Sequence, residues 1–252
     1  MPERIGPLLA EVTNPEREKF TAALVLVHGL WERAPAWRHF AGYLAHRGWR
    51  CVAVERRAEA PADLTAHVAD LRAALAALGA PPVVVGHDLG AVVALHCAAA
   101  ARAVVAVAPL AGPPFAAPPA ALQRAGNWYA RRRGAPLRAP RGAWRRAYPA
   151  AEVAEPAALV RQIAAGEPPL PVPTGAAPRA VFAPHDDEVS SAAAAGALAR
   201  HVGAELHVLR GVGHAVLSAP GWEAHVAAVH RWIIQRLGVD LLALYDEAMQ
   251  PE

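Results

Sequence analysis

The sequence predicts a doubly wound α/β fold, a mostly parallel sheet with helices on both faces, interrupted by a helical insertion. Three observations predict it. Short β-branched runs alternate with Ala- and Leu-rich stretches whose apolar residues fall at i, i+3 and i+4. The runs are apolar almost throughout, as strands buried on both faces must be. The alternation breaks once, between Gly112 and Pro178.

Taken in order, a strand is expected over 22–27 (AALVLV), a helix over 36–47 and a strand over 49–54 (WRCVAV). A helix over 61–78, a strand over 82–85 (PVVV), a helix over 90–101 and a strand over 103–108 (AVVAVA) follow. After the break come a strand over 179–182 (RAVF), a helix over 190–202 and a strand over 205–209 (ELHVL). The break itself is rich in proline, holds no convincing strand, and carries amphipathic stretches at 120–133 and 156–165. It leaves and re-enters between two sheet strands. The expectation is therefore a core of residues 1–111 and 179–252 with a helical cap of residues 112–178. The length leaves little room for strands before residue 22.

Composition narrows the function. The chain has 252 residues, 54% of them hydrophobic, with a net charge of only +3, which excludes disorder for most of it. Alanine fills 63 positions, and 24 arginines stand against the single Lys19, a skew that reads as genomic base composition. The pI near 9.2 is then weak support for a nucleic-acid partner, and no basic block is interleaved with stacking aromatics. The cap holds nine arginines against Glu152, Glu155 and Glu167, so the basic excess is concentrated there. That is a solvated face, or an attraction for an anionic substrate. Cys51 and Cys97 form no disulfide framework and no metal-ligand spacing; Cys97 reads as a small buried hydrophobe. Glu3, Arg4 and Glu11 occupy the place of a signal peptide's apolar core, and no apolar run is long enough to span a bilayer. A cytoplasmic enzyme or binding protein, monomeric or homodimeric, without membrane or nucleic-acid partner, metal or cofactor, is the class expected.

The most informative segment is Pro82-Val-Val-Val-Gly86-His87-Asp88-Leu89-Gly90. A strand entering Gly-x-Asp-x-Gly and leaving as a helix has the layout of a nucleophile elbow, with a carboxylate where a hydroxyl is common. The flanking glycines allow the strained turn that lifts one side chain above the sheet edge, at the positive end of the next helix. Another strand runs into His28-Gly29-Leu30-Trp31, the loop that would supply a second oxyanion donor. An acid pair, Asp186-Asp187, follows the strand at 179–182, and Gly211-Val-Gly-His214 follows the last strand. The order elbow, acid, histidine is the one used on α/β-hydrolase sheets.

On these residues the chain resembles the α/β-hydrolase-fold enzymes, and within them the aspartate-nucleophile branch of epoxide hydrolases and haloalkane dehalogenases. The likeness covers roughly residues 22–110 and 179–237, and Gly86-His87-Asp88-x-Gly90 is similar to the epoxide-hydrolase elbow. It implies a triad of Asp88, His214 and an acid. The family's loop pattern Gly-x-x-Asp-x-x-Val fits Ala183-x-x-Asp186-x-x-Val189, so Asp186 is expected in that role and Asp187 is the alternative. It also implies an oxyanion hole from the backbone N–H groups of Leu30 and Leu89. Two cap tyrosines are implied as acids for the leaving alkoxide; Tyr129 is preferred over Tyr148, with Trp128, Trp144 and Trp31 as further donors or substrate contacts. Leu89 stands where dehalogenases typically carry Trp, and Leu30 where they often carry Asn. Trp31 replaces the proline usual in epoxide hydrolases.

A carboxylate suits displacement at a saturated carbon better than attack on a carbonyl, where it would form a mixed anhydride. The expected reaction is therefore opening of an epoxide to a vicinal diol through an Asp88 ester, hydrolysed by water that His214 activates. Three alternatives stay open: a dehalogenase, a biosynthetic hydrolase or cyclase using Asp88 as a base, and a non-catalytic ligand-binding member of the fold. The Ala/Arg skew points to a high-GC bacterium, where such enzymes serve detoxification or natural-product biosynthesis. His87 is expected to pack or to support the site; His96, His201 and His225 are expected on surfaces or helix faces.

Overall fold

The computed structural model describes residues 2–57, 62–117, 136–138, 144–171 and 175–248, with Trp144 and residues 239–248 described by their backbone. Its centre is an eight-stranded sheet in the order β1-β2-β4-β3-β5-β6-β7-β8. The strands are β1 (Glu3–Ile5), β2 (Leu8–Thr13), β3 (Leu24–Val27), β4 (Cys51–Val54), β5 (Val83–His87), β6 (Ala103–Val107), β7 (Arg179–Pro184) and β8 (Glu205–Leu209). From β4 to β8 every pairing is parallel. β1 and β2 form an antiparallel hairpin that adds to β4 at one edge. That hairpin corrects the expectation of little room for early strands. Its alternation is real (Leu8 and Ala10 buried, Leu9 and Glu11 outward), but three- and six-residue strands around Gly6 give a weak signal.

Each parallel strand sends alternate residues to opposite faces. Val25, Val27, Val52, Val54, Val84, Val104 and Val181 pack on one side with α2 (Leu64–Ala76), α3 (Leu89–His96) and a later helix at Ala192–His201. Leu24, Leu26, Ala53, Val83, Val85, Val105 and Phe182 pack on the other with α1 (Arg38–His46) and the final helix at Trp222–Ala248. The final helix buries Val226, Val229, Ile233 and Leu237, spaced as one helical face. Local chemistry sets the helix starts: Asp63 caps α2 through Ala66 N–H, and Ser191 caps the helix at 192–201 through Ala194 N–H. Cys97 is buried as expected, and burial pushes its thiol up to about 12.

Between β6 and β7 the described residues include α4 (Trp144–Ala147) and α5 (Ala157–Ala165), and Leu137 forms an antiparallel bridge with Glu155. The last two helices are then α6 (Ala192–His201) and α7 (Trp222–Ala248). α5 buries Leu159, Val160 and Ile163 and is tied to the start of α2 by Leu64 N–H donating to Gln162 Oε1 at 2.7 Å. The expected helix at 120–133 lies outside the described residues. No helix among the described residues is long and apolar enough to cross a membrane.

Candidate active site

β5 runs into Asp88 and leaves as α3. Asp88 has φ 51° and ψ −117°, a backbone costing a non-glycine residue about 1–3 kcal/mol. The two glycines make the turn possible. A Cβ on Gly90 would collide with the Val27 and His28 carbonyls, and one on Gly86 with the Gly90 backbone. The turn places the Asp88 carboxylate, fully buried, above the crest of the sheet.

Among the described residues, three groups meet that carboxylate. Leu30 N–H donates to Oδ2 at 2.8 Å. Tyr148 donates its hydroxyl to Oδ1 at 3.3 Å, and His214 Nε2 lies 3.4 Å from the same oxygen. The two oxygens are thus differentiated: one held by backbone, one facing an acid and a base. Leu30 therefore sits where the sequence placed an oxyanion donor, whereas Leu89 N–H makes no bond to the carboxylate.

The partner of His214 differs from the expected one. Its Nδ1 meets Asp187 at 3.1 Å (Oδ1) and 3.0 Å (Oδ2). Asp187 is 1% exposed in its side chain, while the Asp186 carboxylate is 61% exposed and meets the exposed His185. The preference for Asp186 is corrected. The reason is local: Asp187 Oδ1 also accepts Val189 and Ser190 N–H, so the turn after β7 closes around Asp187. The Gly-x-x-Asp register placed the acid one residue early.

Tyr148, the less favoured of the two tyrosines, stands at Asp88; Tyr129 and Trp128 lie outside the described residues, as does the Trp144 side chain. Trp31 packs edge-on against the Tyr148 ring at 4.7 Å, but its Nε1–H donates to Leu137 O at 3.0 Å and is not offered to a substrate. His96 and His225 are helix-face residues that the site does not use, and His201 bonds Leu170 O.

Two buried carboxylates were missed by sequence reasoning. Glu32 Oε2 accepts Gly29 N–H at 3.0 Å and faces His87 Nδ1 at 3.1 Å, while His87 Nε2 donates to His214 O at 3.0 Å. His87 thus bridges the oxyanion loop to the backbone of His214, the supporting place expected for it. Glu155, from the segment between β6 and β7, accepts Trp31 N–H and Arg56 Nη2 on Oε1, each at 2.7 Å. A charged residue inside the run Gly29-Leu30-Trp31-Glu32 was a usable hint for Glu32. Nothing near Glu155 in sequence distinguishes it from Glu152.

Burial alone would raise the Asp88 pKa and lower that of His214, but their partners outweigh it. The hydrogen bond and charge of His214, then His87 and Leu30 N–H, hold Asp88 below its ordinary value. Asp187 and Asp88 together raise His214 to about 10. Asp88 and His214 are each thus favoured in the charged form, as an ion pair with Asp187 on the far side of the imidazole. Burial, then the charges of Asp88, Glu32 and Asp187, push Tyr148 well above the usual phenol range, so it keeps its proton. Among the described residues no group of three or more His, Cys, Asp or Glu side chains is arranged to hold a metal.

The order along the chain, a nucleophile position after β5, an acid after β7 and a histidine after β8, defines a hydrolase of the α/β type. The sequence model of the alpha/beta hydrolase family matches residues 24–226, and the chain belongs to that family. Among solved structures it is similar to a monoacylglycerol lipase from Paleococcus ferrophilus, at TM-score 0.71 and 17% identity over 90% of this chain and 98% of that one. A thermophilic esterase from Thermogutta terrifontis aligns at TM-score 0.67 and 18% identity, covering 93% and 98%. An epoxide hydrolase from Vigna radiata aligns at TM-score 0.65 and 19% identity, covering 93% and 97%. At these identities the likeness is one of fold. No curated protein matches the sequence.

Proposed function

We propose that this hydrolase opens an epoxide to a vicinal diol through an alkyl ester on Asp88. The observation that carries the reading is the carboxylate at the elbow, with Oδ2 on Leu30 N–H and Oδ1 facing Tyr148 and His214. Oδ1 displaces the epoxide oxygen from carbon, and the alkoxide takes the Tyr148 proton. His214 imidazolium, facing the same oxygen, restores the phenol and becomes neutral. Esterification removes the Asp88 charge, one of the two anions that hold the His214 proton, so the proton is released when a base is needed. Neutral His214, oriented by Asp187, then takes one proton from water as its oxygen attacks Cγ. The oxyanion grows on Oδ2 against Leu30 N–H. The diol leaves with the second water proton, and the Asp88–His214 pair is restored.

Halide release needs a hydrogen-bond donor turned to the leaving group, and the Trp31 indole, one of the donors expected for it, is committed to Leu137 O. The site disfavours acyl transfer, since a carboxylate adding to an ester would form a mixed anhydride. Intact-mass spectrometry of His214→Gln mixed with a panel of epoxides and haloalkanes tests the reading. The expected result is an adduct of the whole epoxide mass, absent from Asp88→Asn. An adduct lighter by hydrogen halide would assign dehalogenation instead. No adduct from folded protein across both panels would exclude the covalent route.

A further inference from the structure

The Leu30 N–H that meets Asp88 belongs to the peptide joining Gly29 to Leu30, and the carbonyl of that peptide is held from behind. Arg56, two residues past β4, donates Nη2–H to Gly29 O at 2.8 Å. His28 Nδ1 meets the same oxygen at 3.0 Å, and Arg56 N–H donates to His28 Nε2 at 3.2 Å. Arg56 is itself held by Glu155, through Nη2 to Oε1 at 2.7 Å and Nη1 to Oε2 at 3.5 Å. Glu155 Oε1 also takes Trp31 N–H, the next peptide along. Both side chains of this ion pair are about 5% exposed or less.

The grip continues on Trp31. Its carbonyl accepts Glu152 N–H at 2.8 Å and Val153 N–H at 3.2 Å. Trp31 has φ 59°, an outlier for a bulky side chain, and such a backbone persists only where its surroundings over-determine it. A peptide is a rigid plane, so fixing its carbonyl fixes the direction of its N–H. A cation on the carbonyl also polarises the peptide and strengthens the N–H as a donor.

We propose that Arg56, held in place by Glu155, is a positioning residue for catalysis that clamps the Gly29–Leu30 peptide so that its N–H stays aimed at Asp88. The kinetic part of this inference rests on the Asp88 ester; the structural part does not. Arg56 touches no reacting atom and acts through Leu30 N–H. It matters most when negative charge develops on Oδ2, in hydrolysis of the ester rather than in its formation.

The test uses Arg56→Met/Glu155→Gln, which removes the clamp without leaving a lone buried charge. In protein labelled with [15N]leucine, the Leu30 amide is identified by its loss in Leu30→Ile. It is expected to move upfield in the double variant, although neither changed side chain touches its N–H. With an epoxide that turns over, ester hydrolysis is expected to slow roughly 10- to 100-fold, with alkylation much less affected and KM falling as ester accumulates. A Leu30 signal left in place, or both steps slowed equally, would overturn the clamp. Should the double variant not fold, Arg56→Lys keeps the charge opposite Glu155 without the two-armed reach and carries the same readouts. If no epoxide alkylates His214→Gln, the ester reading fails, and the Leu30 signal alone decides the clamp.

Discussion

At the scale of single residues, Asp187 and Asp186 are neighbours with the same chemistry and opposite surroundings. Asp187→Asn should cut turnover on the order of a thousandfold or more, by leaving His214 without its orienting anion. Asp186→Asn, in solvent beside His185, should leave steady-state turnover near that of the parent. His214 also links the site to stability. Its folded pKa, about 10, lies above the unfolded value near 6.5, so its contribution is complete below about 6.5. It is lost as pH rises from there through the folded value. Urea midpoints of the parent and His214→Gln should therefore differ most near pH 6 and converge towards pH 10. A gap that widens with pH would mean that the imidazole is held neutral.

At the scale of elements, the Asp88 carboxylate stands where it does because β5, the elbow and α3 pack too closely for side chains at two positions. Gly90 abuts the end of β3 and Gly86 abuts the first turn of α3. Gly90→Ala should lower stability by about 3 kcal/mol, since the neighbouring atoms are backbone and cannot swing aside. Chemical denaturation measures it, and a loss under about 1 kcal/mol would show that the elbow relaxes. The elbow was legible from residue types because glycine, an odd polar residue and glycine again, between a Val run and an Ala run, carry geometric meaning. The β1–β2 hairpin was not, since its strands are too short for alternation to stand out.

At the scale of the whole molecule, the site is assembled from the loops after β3, β5, β7 and β8, closed over by Tyr148 from between β6 and β7. A cavity of about 380 Å³ borders His28, Glu32, Arg56 and Glu155, behind the Leu30 loop. Asp88 itself is fully covered. The Arg56–Glu155 pair joins the end of β4 to the segment between β6 and β7, so Arg56→Met alone should destabilise by about 3–5 kcal/mol, because Glu155 would be left charged and buried. Adding Glu155→Gln should recover much of that loss in urea titrations. Equal losses in the single and double variants would mean that packing, not charge, is what the arginine supplies.

The sequence by itself determined the sheet and its helices, through apolar runs of strand length and apolar faces of helical period, and it singled out Asp88, His214 and the Leu30 loop, which the structure brings together. Those signals are local: a strained turn needs glycines, and a catalytic side chain at a strand end lies beside the strand that lifts it. The tertiary structure alone decided which of two adjacent aspartates faces His214, since one residue of register in a turn moves a carboxylate from interior to solvent. It alone brought Tyr148 to Asp88 from 60 residues away in the chain. It alone joined Glu32 to His87 and Arg56 to Glu155. Glu155 has no signature in its own neighbourhood; only Arg56 and Trp31 N–H, distant in sequence and adjacent in space, show what it is for.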